Sequence, residues 1–224
     1  MTEIVVPSLD FKEKHHYEIN LTPFTSVGLI IADKPVAYAY SDTPVHASIE
    51  FDFYGNLLFS HPLYNNGWDI EVNENGILYN DLEYPYLFWE GSMDYQTLGD
   101  LSAVDNSFII NTDSSVSFLE MKLTEMGLNR REQTDFITYW VPRMIDSLFG
   151  YVQFLLDTEY EYRVASLNVS PKPDNIKRVY MLFTPYSVFP NGIVCKDKVF
   201  ESFEREGFSL VEWGGSIIKM NKDV

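Results

Sequence analysis

Cysteine is nearly absent: Cys195 is the single one in 224 residues. That excludes an intramolecular disulfide and any zinc site built on several thiolates of this chain. Basic residues are also scarce, 16 Lys and Arg against 33 Asp and Glu, for a formal net charge of −17. A field of that sign repels phosphate backbones and anionic lipid headgroups. Arg130-Arg131 and Lys177-Arg178 are isolated pairs rather than a basic stripe, so no nucleic-acid partner is expected. No apolar run approaches the roughly 20 residues that span a bilayer, and no membrane insertion is expected. Residues 1–10 contain neither a basic n-region nor an apolar h-region. The expectation is a soluble protein without a signal peptide, cytoplasmic or assembled in a particle. Internal repeats, low-complexity tracts and Pro/Gly/Ser linkers are missing. So are a phosphate-cradling glycine loop, a Gly-x-Ser-x-Gly elbow and a His-Glu-x-x-His pair. No catalytic residue, cofactor or metal is assigned.

Aromatics are abundant, at 16 % of the chain, with 15 Tyr and 16 Phe, and they favour strands over long helices. In Glu83-Tyr84-Pro85-Tyr86-Leu87-Phe88-Trp89-Glu90-Gly91, alternation places Tyr84, Tyr86, Phe88 and Glu90 on one face. Pro85, Leu87, Trp89 and Gly91 fall on the other. Large apolar groups on both faces predict a strand covered on two sides, the seam between two halves. Ahead of it, residues 4–6 and 27–31 read as short strands. Residues 45–53 alternate cleanly, with Val45, Ala47, Ile49, Phe51 and Phe53 sharing one face. Turn signals at 54–56, 65–67 and 73–76 then divide residues 36–91 into a meander of strands.

Helices are expected later. Val116, Leu119, Leu123 and Met126 form one apolar face that ends at Gly127. Asn129 with Glu132 three residues on is a capping box for a second helix, running to about Tyr139 and stopped or bent by Pro142. Strands follow at 151–156, 162–169 and 178–183. A third helix is expected over 197–206, with Val199, Phe200 and Phe203 facing inward, and a final strand over 208–213, broken by a Gly214-Gly215 turn. The fold class is α+β, mostly antiparallel β with three short helices in the C-terminal half. Residues 1–98 form a β-rich half and 99–224 an α+β half, packed on the first as one unit.

Chemical candidates are few. Cys195 could act as a nucleophile only if His15, His16, His46 or His61 folded toward it, and an apolar filler is favoured. His15 and His16 are adjacent, so on a strand their side chains point apart. Asp157, Glu159 and Glu161 alternate and would share a face of an extended chain, as oxygen ligands for Ca²⁺ do, but a solvated hairpin loop is favoured. Glu83 and Glu90 would lie roughly 23 Å apart on one extended strand, too far for a shared glycosidic bond. Tyr38, Tyr40, Tyr64, Trp68 and Tyr79 are the candidate binding surface for a protein or a sugar, against the alternative of a core rim.

Three stretches carry a resemblance: Tyr84-Pro85-Tyr86-Leu87-Phe88-Trp89-Glu90, the 127–142 segment Gly-Leu-Asn-x-x-Glu-x-x-Asp-Phe-Ile-x-Tyr-Trp-x-Pro, and Gly207-Phe208-Ser209-Leu210-Val211-Glu212-Trp213-Gly214-Gly215. In that order the chain resembles, over about residues 77–215, a family of bacterial proteins of unassigned activity, often exported. No export signal is expected for this chain, and in that it departs from the family. The resemblance implies one continuous unit across the seam and no catalytic residue. The leading expectation is a non-enzymatic acidic structural or interaction protein with a protein partner, a component of a larger assembly such as a virus particle. The alternatives are a carbohydrate or small-ligand binding module and, behind it, a hydrolase with an unrecognised site.

Overall fold

A computed structural model describes residues 28–73, 76–200 and 203–219. The strand expected at 4–6 and the His15-His16 pair lie outside the described residues. Thirteen strands are described: β1 (Leu29–Tyr40), β2 (Val45–Phe53), β3 (Asn56–His61), β4 (Trp68–Asn73), β5 (Gly76–Tyr79), β6 (Leu82–Tyr84), β7 (Leu87–Asp94), β8 (Asn106–Asn111), β9 (Phe149–Leu156), β10 (Ala165–Ser170), β11 (Asn175–Tyr186), β12 (Lys196–Asp197) and β13 (Ser209–Ile217). The α-helices are α1 (Ser115–Glu125), α2 (Arg130–Met144) and α3 (Thr158–Arg163), all in the C-terminal half. The protein is therefore α+β and mostly antiparallel.

The strands form two sheets, ordered β12-β8-β9-β11-β13-β1-β7-β3 and β10-β2-β4-β5-β6. Every described ladder is antiparallel except β11–β13. A parallel neighbour needs a crossover of a dozen or more residues, and residues 187–208 supply it. The small sheet packs on one face of the large one, and α1 and α2 cover part of the other. The central strands β11 and β13 are consequently buried on both faces: residues 177–184 and 209–216 are buried throughout. In β2, buried Ala47 and Ile49 alternate with more exposed His46, Ser48 and Glu50, as befits a sheet with one wet face.

Two cores result. Between the sheets, Ile49, Trp68, Ile70 and Val72 meet Ala37, Ala39, Leu87, Trp89 and Leu182. On the helix side, Leu119, Leu123, Phe136, Trp140 and Met144 meet Val36, Phe154, Met181, Val211 and Trp213. The Asn129–Glu132 capping box is present on α2, and Gly127 takes φ +84 after α1.

Several expectations are corrected. The 36–91 meander is divided between sheets, with β1, β3 and β7 in the large one and β2, β4, β5 and β6 in the small one. Alternation shows which residues share a face, but not which strand lies alongside. The 83–91 stretch is two strands broken at Pro85-Tyr86, where the proline has no N–H to give a ladder. From Leu87 onward its faces are as expected: Leu87 and Trp89 join the inter-sheet core, and Phe88 packs on the helix side. Helix α2 runs past Tyr139 to Met144 with Pro142 inside it, because Trp140 and Met144 anchor its last turns in the core.

The third helix is not at 197–206. Lys196 and Asp197 instead pair with Ser107 and Asn106, and residues 198–200 and 203–206 have no regular structure. The side chain of Lys122 holds Asp197 at 3.1 Å, and this tertiary contact, with the pairing to β8, outweighs a weak local preference for helix. Helix α3 lies at Thr158–Arg163, where a loop and the start of a strand were expected; fully buried Tyr160 anchors it and Glu159 pairs with Arg163. Gly214-Gly215 is no turn either, since β13 runs straight through it. A Cβ on Gly214 would sit 3.0 Å from Pro35 Cα, and one on Gly215 2.6 Å from Trp140 Cζ2. Close packing requires these glycines.

Candidate functional site

The five aromatics of the candidate surface are divided between the two cores. Tyr38 and Tyr40 lie on the helix-side face of β1, their rings parallel at 6.4 Å. The Tyr38 hydroxyl donates to Asp135 Oδ2 at 2.8 Å, and that of Tyr40 to Glu132 Oε1 at 2.7 Å. Glu132 is fully buried and also takes Arg205 at 2.5 Å. Burial raises its carboxyl pKa against the pull of Tyr40 and Arg205, and burial raises both phenols as well. Tyr64, Trp68 and Tyr79 lie on the opposite side of the large sheet. The Trp68 indole donates to the Pro62 carbonyl at 3.0 Å, and the Tyr64 hydroxyl bonds the backbone of Phe51. Tyr38 and Trp68 are each 1 % exposed, and no single face gathers the five.

The other candidates also separate. Asp157 accepts from Lys177 Nζ at 2.9 Å and from the Arg178 backbone N–H at 2.8 Å; Glu161 takes the Arg178 guanidinium at 2.5 Å, and Glu159 takes Arg163. Each carboxylate of the acidic run therefore faces its own cation. No group of three or more His, Cys, Asp or Glu able to hold a metal occurs among the described residues. Glu83 and Glu90 stand in different sheets. Cys195 is exposed and precedes β12, at the edge of the large sheet opposite to β3, which ends at His61. His46 is paired with Glu71 in the small sheet.

A feature missed in the sequence lies at Asp33-Lys34-Pro35, where β1 shifts register against both neighbours and Lys34 takes φ +48. A positive φ is costly for a residue with a Cβ, and a bulge re-aims side chains. Here Lys34 Nζ lies 5.2 Å from the Tyr139 ring centroid and 5.4 Å from that of Trp213, while the Tyr139 hydroxyl donates to Asp33 Oδ1 at 3.4 Å. Burial and the charge of Glu90 raise the Asp33 carboxyl, and burial lowers the Lys34 ammonium. Tyr139 is pushed up to about 12 by burial and by Asp33. Each group is thus moved toward its neutral form, which makes a half-buried polar cluster cheaper to cover. The legible signal was a Lys-Pro pair inside an apolar strand.

This cluster borders an uncovered part of the sheet. Helix α2 lies over β13 and β1, through Phe136 on Trp213 and Asp135 on Tyr38. Among the described residues, no helix lies above the strands beyond it, β7 and β3. By register, Leu29 and Ile31 of β1, Phe88 of β7 and Phe59 of β3 share this open face. Phe59 is 59 % exposed, Leu29 72 %, and the Phe59 and Phe88 rings lie 5.9 Å apart. Among the described residues, β3 is the outermost strand of the large sheet and pairs on one side only, and Asn-Leu-Leu-Phe-Ser-His carries none of the Lys, Glu or Pro residues that blunt an edge. Leu58 in its bulge is 56 % exposed, and Leu63 just beyond is 74 % exposed. Chemically, this is apolar surface next to a row of backbone donors and acceptors that have no ladder partner among the described residues.

No family model matches the chain, and neither a curated protein nor a solved structure does.

Proposed function

We propose that the protein is a non-enzymatic interaction protein, a component of a larger assembly, that engages a protein partner along β3 and the open face beside it. The observation that supports this reading is the apolar edge: Leu57, Leu58 and Phe59 are exposed in succession on a strand that, among the described residues, pairs on one side only. A partner strand added there gains main-chain hydrogen bonds, and the exposed side chains supply specificity. The acidic character of the chain sets what approaches: a −17 charge favours a partner that brings basic groups around an apolar centre.

Sedimentation in extracts of the producing cells tests the reading. The parent chain should migrate in a larger species, and the double variant Leu58→Lys, Phe59→Lys as a free chain of 26.0 kDa. Identical migration of the two proteins, or a parent that migrates as a free chain, refutes it.

A further inference from the structure

Among the described residues, the large sheet ends at β3 on one side and at β12 on the other. Around β12, every residue from Val194 to Val199 is exposed. The inner side of β12 pairs with Asn106 and Ser107 of β8, and its outer side has no ladder partner among the described residues. Asp197 turns toward the helices, where Lys122 of α1 holds it at 3.1 Å. Lys196 and Lys198 turn the other way, to Asp105, at 4.0 and 3.6 Å. One carboxylate thus serves two ammoniums, and this edge keeps a spare positive charge in a chain of net charge −17. The β3 edge has the opposite character. Glu90 stands opposite Phe59 on β7, exposed Asp94 follows on the same face, and neither is in a salt bridge among the described residues.

We infer that the partner of β3 is a second copy of this chain, which lays its β12 edge along β3. This rests on the β3 reading and names the partner. Strand directions and faces decide how the edges meet. β12 and β3 run the same way, because the ladders between them reverse direction an even number of times. A copy added without turning pairs the edges in parallel and puts Lys196 and Lys198 on the small-sheet side of β3. A copy turned by half a revolution about the line across the strands pairs them antiparallel and exchanges the faces. Lys196 and Lys198 then lie on the open face, their stems over the rings of Phe59 and Phe88 and their ammoniums toward Glu90 and Asp94. Antiparallel pairing is also the slightly more stable form. An antiparallel pair of two β3 edges keeps the faces instead, and sets Glu90 of one copy against that of the other. Because β12 and β3 are different surfaces, the contact is head-to-tail, and each copy keeps one edge for the next.

Sedimentation velocity of the purified full chain tests it, with three double variants. Leu58→Lys, Phe59→Lys disables β3 and spares β12; Lys196→Glu, Lys198→Glu does the reverse; Lys196→Arg, Lys198→Arg keeps the charge. At concentrations up to about 1 mM, where weak contacts populate, the parent and the arginine variant should form species heavier than 26.0 kDa that grow with concentration. Each disabled variant, alone, should sediment as a free chain with the circular dichroism of the parent. Mixed in equal amounts, the two should form a species of two chains and no larger, because each supplies the edge that the other lacks. If the glutamate variant fails to fold, Lys198→Glu alone, on a side chain 69 % exposed, decides the matter by weakening assembly about tenfold. A glutamate variant that assembles like the parent, or a mixture that stays as free chains, overturns the inference. A parent that is a free chain when pure but heavier in cell extracts overturns it and leaves the β3 reading standing; a free chain in both overturns both.

Discussion

Replacing Trp89 should show how the two halves share one core. The ring is 1 % exposed and stacks on Phe51 at 4.9 Å and against Phe53 at 4.8 Å. Its indole N–H donates to Glu212 Oε1 at 3.0 Å, and the other oxygen of that buried carboxylate takes Arg178 at 2.7 Å. Trp89→Ala removes the ring contacts and leaves a cavity, a loss of about 3–5 kcal/mol. Trp89→Phe keeps most of the ring and withdraws one donor from a buried carboxylate, a loss of about 1–3 kcal/mol. Either is large against the roughly 5–15 kcal/mol of an ordinary domain. With a urea slope of about 3 kcal/mol/M, the alanine variant should unfold more than about 1 M earlier. The remaining reporters lie in both cores, Trp68 between the sheets and Trp140 and Trp213 under the helices. Because β13 from the second half lies between β11 and β1, fluorescence and far-ultraviolet circular dichroism should trace one transition. An unshifted midpoint in Trp89→Ala, or two separated transitions, refutes the reasoning.

Two further outcomes follow from buried groups. Tyr38, Tyr40, Tyr139, Tyr160 and Tyr180 all have hydroxyls raised by burial above the free value, so the fold favours their protonated forms. Stability from these groups is intact below the unfolded value of about 10 and lost as pH rises through the folded values. A spectrophotometric alkaline titration should therefore show these five ionising only as circular dichroism is lost, whereas ionisation of all 15 tyrosines near the free value in a folded chain contradicts the burial. Gly215→Val should lower the melting temperature by several degrees, since its side chain collides with Trp140 and the Met181 carbonyl and overpacking costs about 1–3 kcal/mol; a parental melting temperature would show that β13 can move away.

Local rules, read from the sequence alone, determined the elements whose causes are local. The Asn129–Glu132 capping box lies within one helical turn, and the Gly127 stop needs only a positive φ, so both were legible. The alternation of β2 was legible because one face meets the core and the other water. The strand-rich class followed from the aromatic composition for the same reason. Tertiary structure decided everything that depends on which strand lies next to which. Alternation is identical for a neighbour in either sheet, so it could not divide β1, β3 and β7 from β2, β4, β5 and β6. The short helix at 158–163 exists because Tyr160 finds a buried place, and the missing one at 197–206 because Asp197 finds Lys122 and β8. The edge at β3 is likewise a product of the sheet order. The free-energy gain from a contact between residues far apart in sequence appears only once the chain has closed the loop between them, and no window of sequence contains both partners.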